Sequence, residues 1–143
     1  RRIRNFLETW IHLPMLLFLN ILYTLLHLLL IGFNLFGWIW QKTRKAHLIT
    51  AAITLASWFV LGIWYGWGYC PLTDWHWDVK RQLGETGLPN SFVKYFMDKI
   101  TGLDISPSVI DAWTLGLFLA AIVLSVYVNF FRKRKTSHFR RRT

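Results

Sequence analysis

The residues from Cys70 to Asp78 are of the types that metal sites and nucleophilic catalysis use. In an extended chain Asp74, His76 and Asp78 would share one face, where carboxylates and an imidazole can bind a divalent metal. His12 is a further candidate ligand. In a helix only Asp74 and Asp78 align, and both then suit its first turn. Because we favour the helix, a metal-dependent membrane enzyme at Asp74, His76 and Asp78 is the weaker alternative.

Cys70 is the single cysteine of the chain, and His76 is the base nearest to it in the sequence. A nucleophile and its base also need a third group to orient the base, and donors for the oxyanion. The sequence identifies neither, so we lean towards a protein that is not an enzyme. The sequence also does not identify a particular cofactor.

A second set of polar residues lies at helical spacing inside apolar sequence, where successive members fall on one helix face. Such side chains cost several kcal/mol each if they face lipid without partners. We therefore expect three polar stripes to face one another across a bundle. They are Asn20, Thr24, His27 and Asn34; His47, Thr50, Thr54 and Ser57; and the sparser Thr114, Ser125 and Asn129.

These stripes have two interpretations. The first is hydrogen bonding between helices, worth on the order of 0.6 kcal/mol for each bond. The second is a binding site, because a titratable group inside a membrane is a functional hypothesis by default. That site would contain His27, Asn20, Asn34 and Ser57, with His27 and Ser57 at similar depth. It would bind haem, quinone or a lipid head group.

The composition excludes a disordered basic protein. Apolar residues make up 54% of the chain and aromatic residues 17%, although the net charge is +10. A chain this apolar has too little polar sequence to stay unfolded in water.

Three stretches contain no Asp, Glu, Lys or Arg: residues 13–40, 48–69 and 112–131. A helix needs roughly 20 mostly apolar residues to cross a bilayer. We therefore predict an all-α membrane protein, a single domain with three transmembrane helices. Residues 1–12 predict an amphipathic lead-in to the first span. Residues 71–111 predict one or two short interfacial helices between the second and third spans.

Capping residues predict the ends of those short helices. Thr73 or Asp74 is suited to begin the first. Ser91 is suited to begin the second, and Gly102 to end it. Ser108 forms a capping box with Asp111 at the start of the third span.

The charges predict an orientation. Three spans place the head of the chain and residues 71–111 on one side, with seven Lys or Arg and all seven acids. The other side has ten Lys or Arg and no acid, in the 41–47 loop and the 132–143 tail. Positive residues near span ends favour the cytoplasm, so we expect the loop and C-terminus inside and the N-terminus and residues 71–111 outside.

The basic tail is predicted to contact anionic lipid or a partner, at about 1 kcal/mol for each basic residue near the surface. We expect no nucleic-acid partner, because no stacking motif accompanies it. The residues concerned are Arg132, Lys133, Arg134, Lys135, Arg140, Arg141 and Arg142.

Cys70-Pro71-Leu72-Thr73 follows an aromatic and glycine-rich helix and precedes a polar one. With His27 in the first span and His47 opening the second, this pattern resembles a family of small bacterial membrane proteins, domain of unknown function 2784. The resemblance covers about residues 22–103. The family has a glutamate and then an arginine after the motif, whereas this chain has His76 and then Lys80 or Arg81.

The resemblance implies a bacterial inner-membrane location and no particular activity. From the small bundle, the aromatic surface and the basic tail, we expect an accessory or structural subunit of a larger membrane assembly, such as a respiratory or photosynthetic one. The bilayer and other membrane subunits are the expected partners.

Overall fold

The computed structural model describes the backbone of residues 2–131 and the side chains of residues 12–131. Within that range the chain is helical and has no strand, as predicted. Its five helices are α1 (Arg2–Phe36), α2 (Arg44–Tyr65), α3 (Pro71–Gln82), α4 (Phe92–Thr101) and α5 (Pro107–Phe131). The basic tail lies outside the described residues, as do the side chains of the lead-in.

Three of these helices are long and apolar enough to cross a membrane: His12–Phe36 within α1, Arg44–Tyr65 and Pro107–Phe131. The three predicted spans are confirmed, but their ends differ from the predicted ones. The first ends at Phe36 rather than Trp40, because the Trp38 indole donates to the Leu35 carbonyl at 2.8 Å and closes the end of the helix. The lead-in is not a separate helix, since α1 runs through it without a break.

Helix α2 contains a π-turn and then ends within the aromatic and glycine-rich residues 64–69. Its residues Ser57–Leu61 form a π-turn, the kind of bulge that often marks a functional or strained position. Gly66, with φ at 101°, follows the last helical residue Tyr65. Only glycine adopts that backbone readily, so the helix ends there rather than at the predicted Tyr69.

The two predicted short helices both exist. Helix α3 packs along α1, and α4 packs against α5. The predicted caps of α4 are confirmed: the Ser91 hydroxyl accepts from the Lys94 N–H, and Gly102 ends the helix in the left-handed conformation. The predicted cap of α3 is wrong, because Cys70 precedes the helix and Pro71 opens it.

The start of α5 also differs from the prediction. Ser106 precedes the helix and Pro107 is its first residue, so Ser108 and Asp111 lie inside it rather than forming a capping box. Proline suits this place because its missing N–H would have no partner in the first turn.

Buried lysines hold the segment between the second and third spans. Lys80, 3% exposed, donates to Glu85 and to the Tyr95 hydroxyl at 2.9 Å each, joining α3 to α4. Burial alone would lower the pKa of Lys80, but the bonds from Tyr95 and Glu85 outweigh it and raise that pKa. Lys94 is paired with Asp98 and Asp104. These bonds hold the segment together, and the packing of α3 on α1 and of α4 on α5 places it against the spans.

The antiparallel order of the spans predicts which loops lie on the same side of the membrane. In a Cys70→Ala background, Lys42→Cys and Asn90→Cys should react with a membrane-impermeant maleimide from opposite sides of sealed vesicles, because both positions are exposed and α2 separates them. Labelling of both in intact vesicles, followed by no change on permeabilisation, would contradict the three-span topology.

Candidate functional site

His27 lies in the middle of the first span and is fixed by both ring nitrogens. It is nine residues before the end of α1, about 14 Å along the axis. Its Nδ1 donates to the Tyr23 carbonyl at 2.8 Å, so the neutral ring accepts at Nε2 from the Thr73 hydroxyl at 3.0 Å. Phe92 stacks on the ring at 4.1 Å between centroids. His27 therefore joins α1 to α3 and lies under α4.

His76 lies one helical turn after Thr73 on α3 and packs with the same side chains. Its Nε2 donates to Asn20 Oδ1 at 2.9 Å, and its ring lies 5.5 Å from that of His27. The side chain is fully buried. Its Nδ1 has no partner among the described residues. We call Asn20, His27, Thr73, His76 and Phe92 the His27–His76 cluster.

His76 is neutral at physiological pH. Burial lowers the pKa of its imidazole most, and the nearby Lys80 and His27 lower it further, to about 4. A neutral ring that donates at Nε2 has a lone pair at Nδ1. The free atom is therefore an acceptor that lacks a donor.

A second polar group, the His47 cluster, ties the three spans together near the 41–47 loop. His47 Nε2 donates to the Asn34 carbonyl at 2.8 Å, and its Nδ1 accepts from the Ser125 hydroxyl at 3.0 Å. Asn34 lies in the last turn of α1, where carbonyls lack partners within the helix. The Asn34 amide also donates to Thr54 at 3.0 Å. Asn129 donates to Ser125 and completes the group.

Beside Asn34 an apolar groove of about 470 Å³ opens between α1, α2, α4 and α5. Its described lining contains no charged side chain. Trp58 and Phe118 meet within it, with ring centroids 5.3 Å apart. This volume lies in the range of small-molecule sites, about 300 to 1,000 Å³.

The structure divides the predicted site. Asn20 and His27 remain together, but Asn34 belongs to the His47 cluster. Ser57 does not pair with His27, because its hydroxyl donates to the Tyr69 carbonyl at 2.8 Å. The prediction that the polar stripes bond across the bundle is confirmed by Asn34 with Thr54 and His47 with Ser125.

The proposed metal ligands are not brought together. Helix α3 turns His76 inward against α1, while Asp74 and Asp78 are exposed. His12 is exposed on the first turn of the span. Among the described residues, no three His, Cys, Asp or Glu side chains are placed to hold a metal ion.

The sequence reasoning missed Thr73 as the partner of His27, and His76 as part of the same group. A signal was present. In a helix Thr73, His76 and Lys80 follow the spacing of one face, and all three are buried. Interpreting Thr73 as a cap and His76 as a metal ligand hid that spacing.

Two of the three buried histidines in the described chain are already fully bonded. The rings of His27 and His47 are held at both nitrogens by fixed partners. A general base needs a nitrogen within reach of a substrate proton. Only His76 Nδ1 and Asn34 Oδ1 are buried without a partner among the described side chains.

Three apolar helices joined by buried polar bonds define a small multi-pass membrane protein. The family described as Protein of Unknown function (DUF2784) matches residues 17–130, and the chain belongs to this family. The match extends the earlier resemblance through the third span. No curated protein and no solved structure matches the chain.

Replacing Thr73 with valine tests the bond between α1 and α3. Thr73→Val removes the donor to His27 Nε2 and leaves a buried acceptor unsatisfied, which costs about 1 to 3 kcal/mol. We expect the free energy of unfolding, measured by SDS titration in mixed micelles, to fall by that amount. The control is Thr101→Val, whose exposed hydroxyl bonds only to the nearby backbone of Met97 and Leu103. Equal small losses in both variants would contradict the role of Thr73.

The lowered pKa of His76 predicts a stability that depends on pH. Between about 4 and the ordinary value of 6.5 the unfolded imidazole binds a proton that the folded one does not. This contribution is therefore complete above pH 6.5 and is lost as the pH falls towards 4. The drop in melting temperature from pH 7.5 to pH 5, in detergent, should be smaller in His76→Gln than in wild type.

His12→Gln is the matched control for this titration, because His12 is exposed. It should show the wild-type drop. If His76→Gln showed the same drop as His12→Gln, His76 would not be the group whose protonation opposes folding.

Proposed function

We propose that the protein is an accessory subunit that packs against a helix of another membrane protein through one face of α5. The observation that supports this most directly is a row of small exposed residues, Ala112, Gly116 and Ala120. Spaced by four, they lie on one side of the helix. Small residues at this spacing let two helix backbones approach closely in a membrane.

The packing of this chain gives no reason for a glycine in the middle of α5. A Cβ atom at position 116 would meet no atom of the described chain within 4 Å. Glycine inside a helix costs roughly 0.5 to 1 kcal/mol relative to alanine. Close contact with a partner helix would explain why that cost is tolerated.

The low burial of the spans also supports a partner. Only 6% of the most apolar window of the first span is buried within the chain, against 17% for the second and 22% for the third. The described polar side chains of the bundle are mostly committed to bonds inside it, so association would rest on apolar and small-residue contacts.

We propose that this assembly lies in a bacterial inner membrane. The excess of basic residues in the 41–47 loop and the tail supports a cytoplasmic location for both. The same tail would contact anionic lipid. Its residues lie outside those that the structure describes, so this part of the proposal rests on the sequence.

A site for haem or quinone at His27 has less support. Axial ligation would require Nε2 to release Thr73, and the group would have to displace Phe92 from the ring. Both changes would separate α3 and α4 from α1.

Enlarging Gly116 tests the proposed contact. We expect wild-type protein, extracted from native membranes in mild detergent, to run in native electrophoresis as a species larger than the monomer and to contain a second membrane protein. Gly116→Leu should remove that species, because leucine holds the two backbones apart.

Ala52→Leu is the matched control, since Ala52 is exposed on α2 and away from this face. It should leave the larger species intact. A wild-type chain that extracts as a monomer, or a Gly116→Leu variant that keeps its partner, would overturn the proposal. A larger species that contains only this chain would overturn the proposed partner and show that the protein is a homo-oligomer.

A further inference from the structure

The groove has Asn34 and Thr54 at one end and is largely apolar along the rest, where the Thr114 hydroxyl is bonded to its own helix. Asn34, with Thr54 nearby, lines the end closest to the 41–47 loop, and Val109 lines the far end beside α4. Along α5 the lining runs from Val109 to Phe118, which is about 13 Å at 1.5 Å for each residue. The groove therefore has the polarity of an extended molecule with a polar group at one end.

The polar position is an acceptor that lacks a donor. Asn34 is 6% exposed and lines the groove. Its Oδ1 is buried and has no hydrogen-bond partner in the described chain, so a ligand hydroxyl reaches it when the side chain turns towards the groove. The Thr54 hydroxyl already donates to the Thr50 carbonyl at 2.9 Å. Thr54 can then only accept from Asn34, so the Asn34 side chain must turn its NH₂ group to Thr54. This leaves Oδ1 as the unsatisfied atom.

Two other occupants of the groove are disfavoured. A water molecule needs two to four polar partners, and the Thr114 hydroxyl of the lining already donates to the Ile110 carbonyl. A partner helix is disfavoured because its backbone N–H groups are already bonded within the helix, so it brings no free backbone donor to Asn34 Oδ1.

We infer that the groove binds an uncharged lipid alcohol, with its hydrocarbon chain along α5 and its hydroxyl group donating to Asn34 Oδ1. An uncharged head is required because no charged side chain lines the described groove. A single chain fits the volume and the length. The site is separate from the subunit face of α5, because Ala112, Gly116 and Ala120 do not line it.

Paired probes test this assignment. The purified protein in detergent is titrated with farnesol and with farnesyl methyl ether, and then with hexadecanol and its methyl ether, with binding read by native mass spectrometry. We expect the alcohol of the preferred chain to bind about three- to tenfold more tightly than its ether, the value of one hydrogen bond. The two chain types distinguish an isoprenoid source from a fatty one.

Asn34→Leu should reduce binding of the alcohol to the level of the ether and leave binding of the ether unchanged. Unchanged ether binding shows that the apolar part of the groove remains folded. The matched control is Thr114→Val, which alters a hydroxyl in the same groove and should keep the preference. Equal binding of alcohol and ether to wild type, no binding of either, or a preference that survives Asn34→Leu would overturn the inference.

Discussion

Lipid hydrocarbon offers no hydrogen bonds, so each polar side chain inside this bundle must find its partner within the protein. The bond between His27 and Thr73 shows the consequence most clearly. It draws the start of α3 to the middle of the first span, and His76 with Asn20 extends the contact by one turn. The segment between the second and third spans is therefore anchored on α1, and Lys80 then attaches α4 to it.

The three buried histidines are fixed by the same requirement. Each donates one ring N–H to an oxygen: the carbonyls of Tyr23 and Asn34, and the Asn20 side chain. The second nitrogen of each ring is then an acceptor. In His27 and His47 a hydroxyl group satisfies it, so each of these rings links two helices. In His76 the Nδ1 atom has no partner among the described residues.

Two features of the bundle remain available for interactions, and they differ in chemistry. The face of α5 around Gly116 has small exposed residues, which suits another helix. The groove beside Asn34 is concave and carries one unsatisfied acceptor, which suits a small amphiphile. They use different residues of α5, since Ala112, Gly116 and Ala120 do not line the groove, so a subunit role and a lipid site are compatible in one molecule.

Hydropathy and spacing by themselves determined the three spans, the two short helices between them and the polar stripes. These follow from short-range rules: a bilayer requires a fixed length of apolar helix, and residues three or four apart share a helix face. The sequence also predicted the caps of α4 correctly, because Ser91 and Gly102 act on their own backbone neighbourhood.

Only the tertiary structure decided which polar side chains meet. Thr73 and His27 are 46 residues apart, and His47 and Ser125 are 78 apart, so no local pattern links them. The ends of the spans also depended on three-dimensional contacts, such as the Trp38 indole closing α1. The unsatisfied oxygen of Asn34 also depends on the tertiary structure. The Thr54 hydroxyl donates its only proton to the Thr50 carbonyl, so it has none to donate to Asn34 Oδ1. Partner choice in a bundle depends on helix rotation and depth, which a sequence read one helix at a time does not specify.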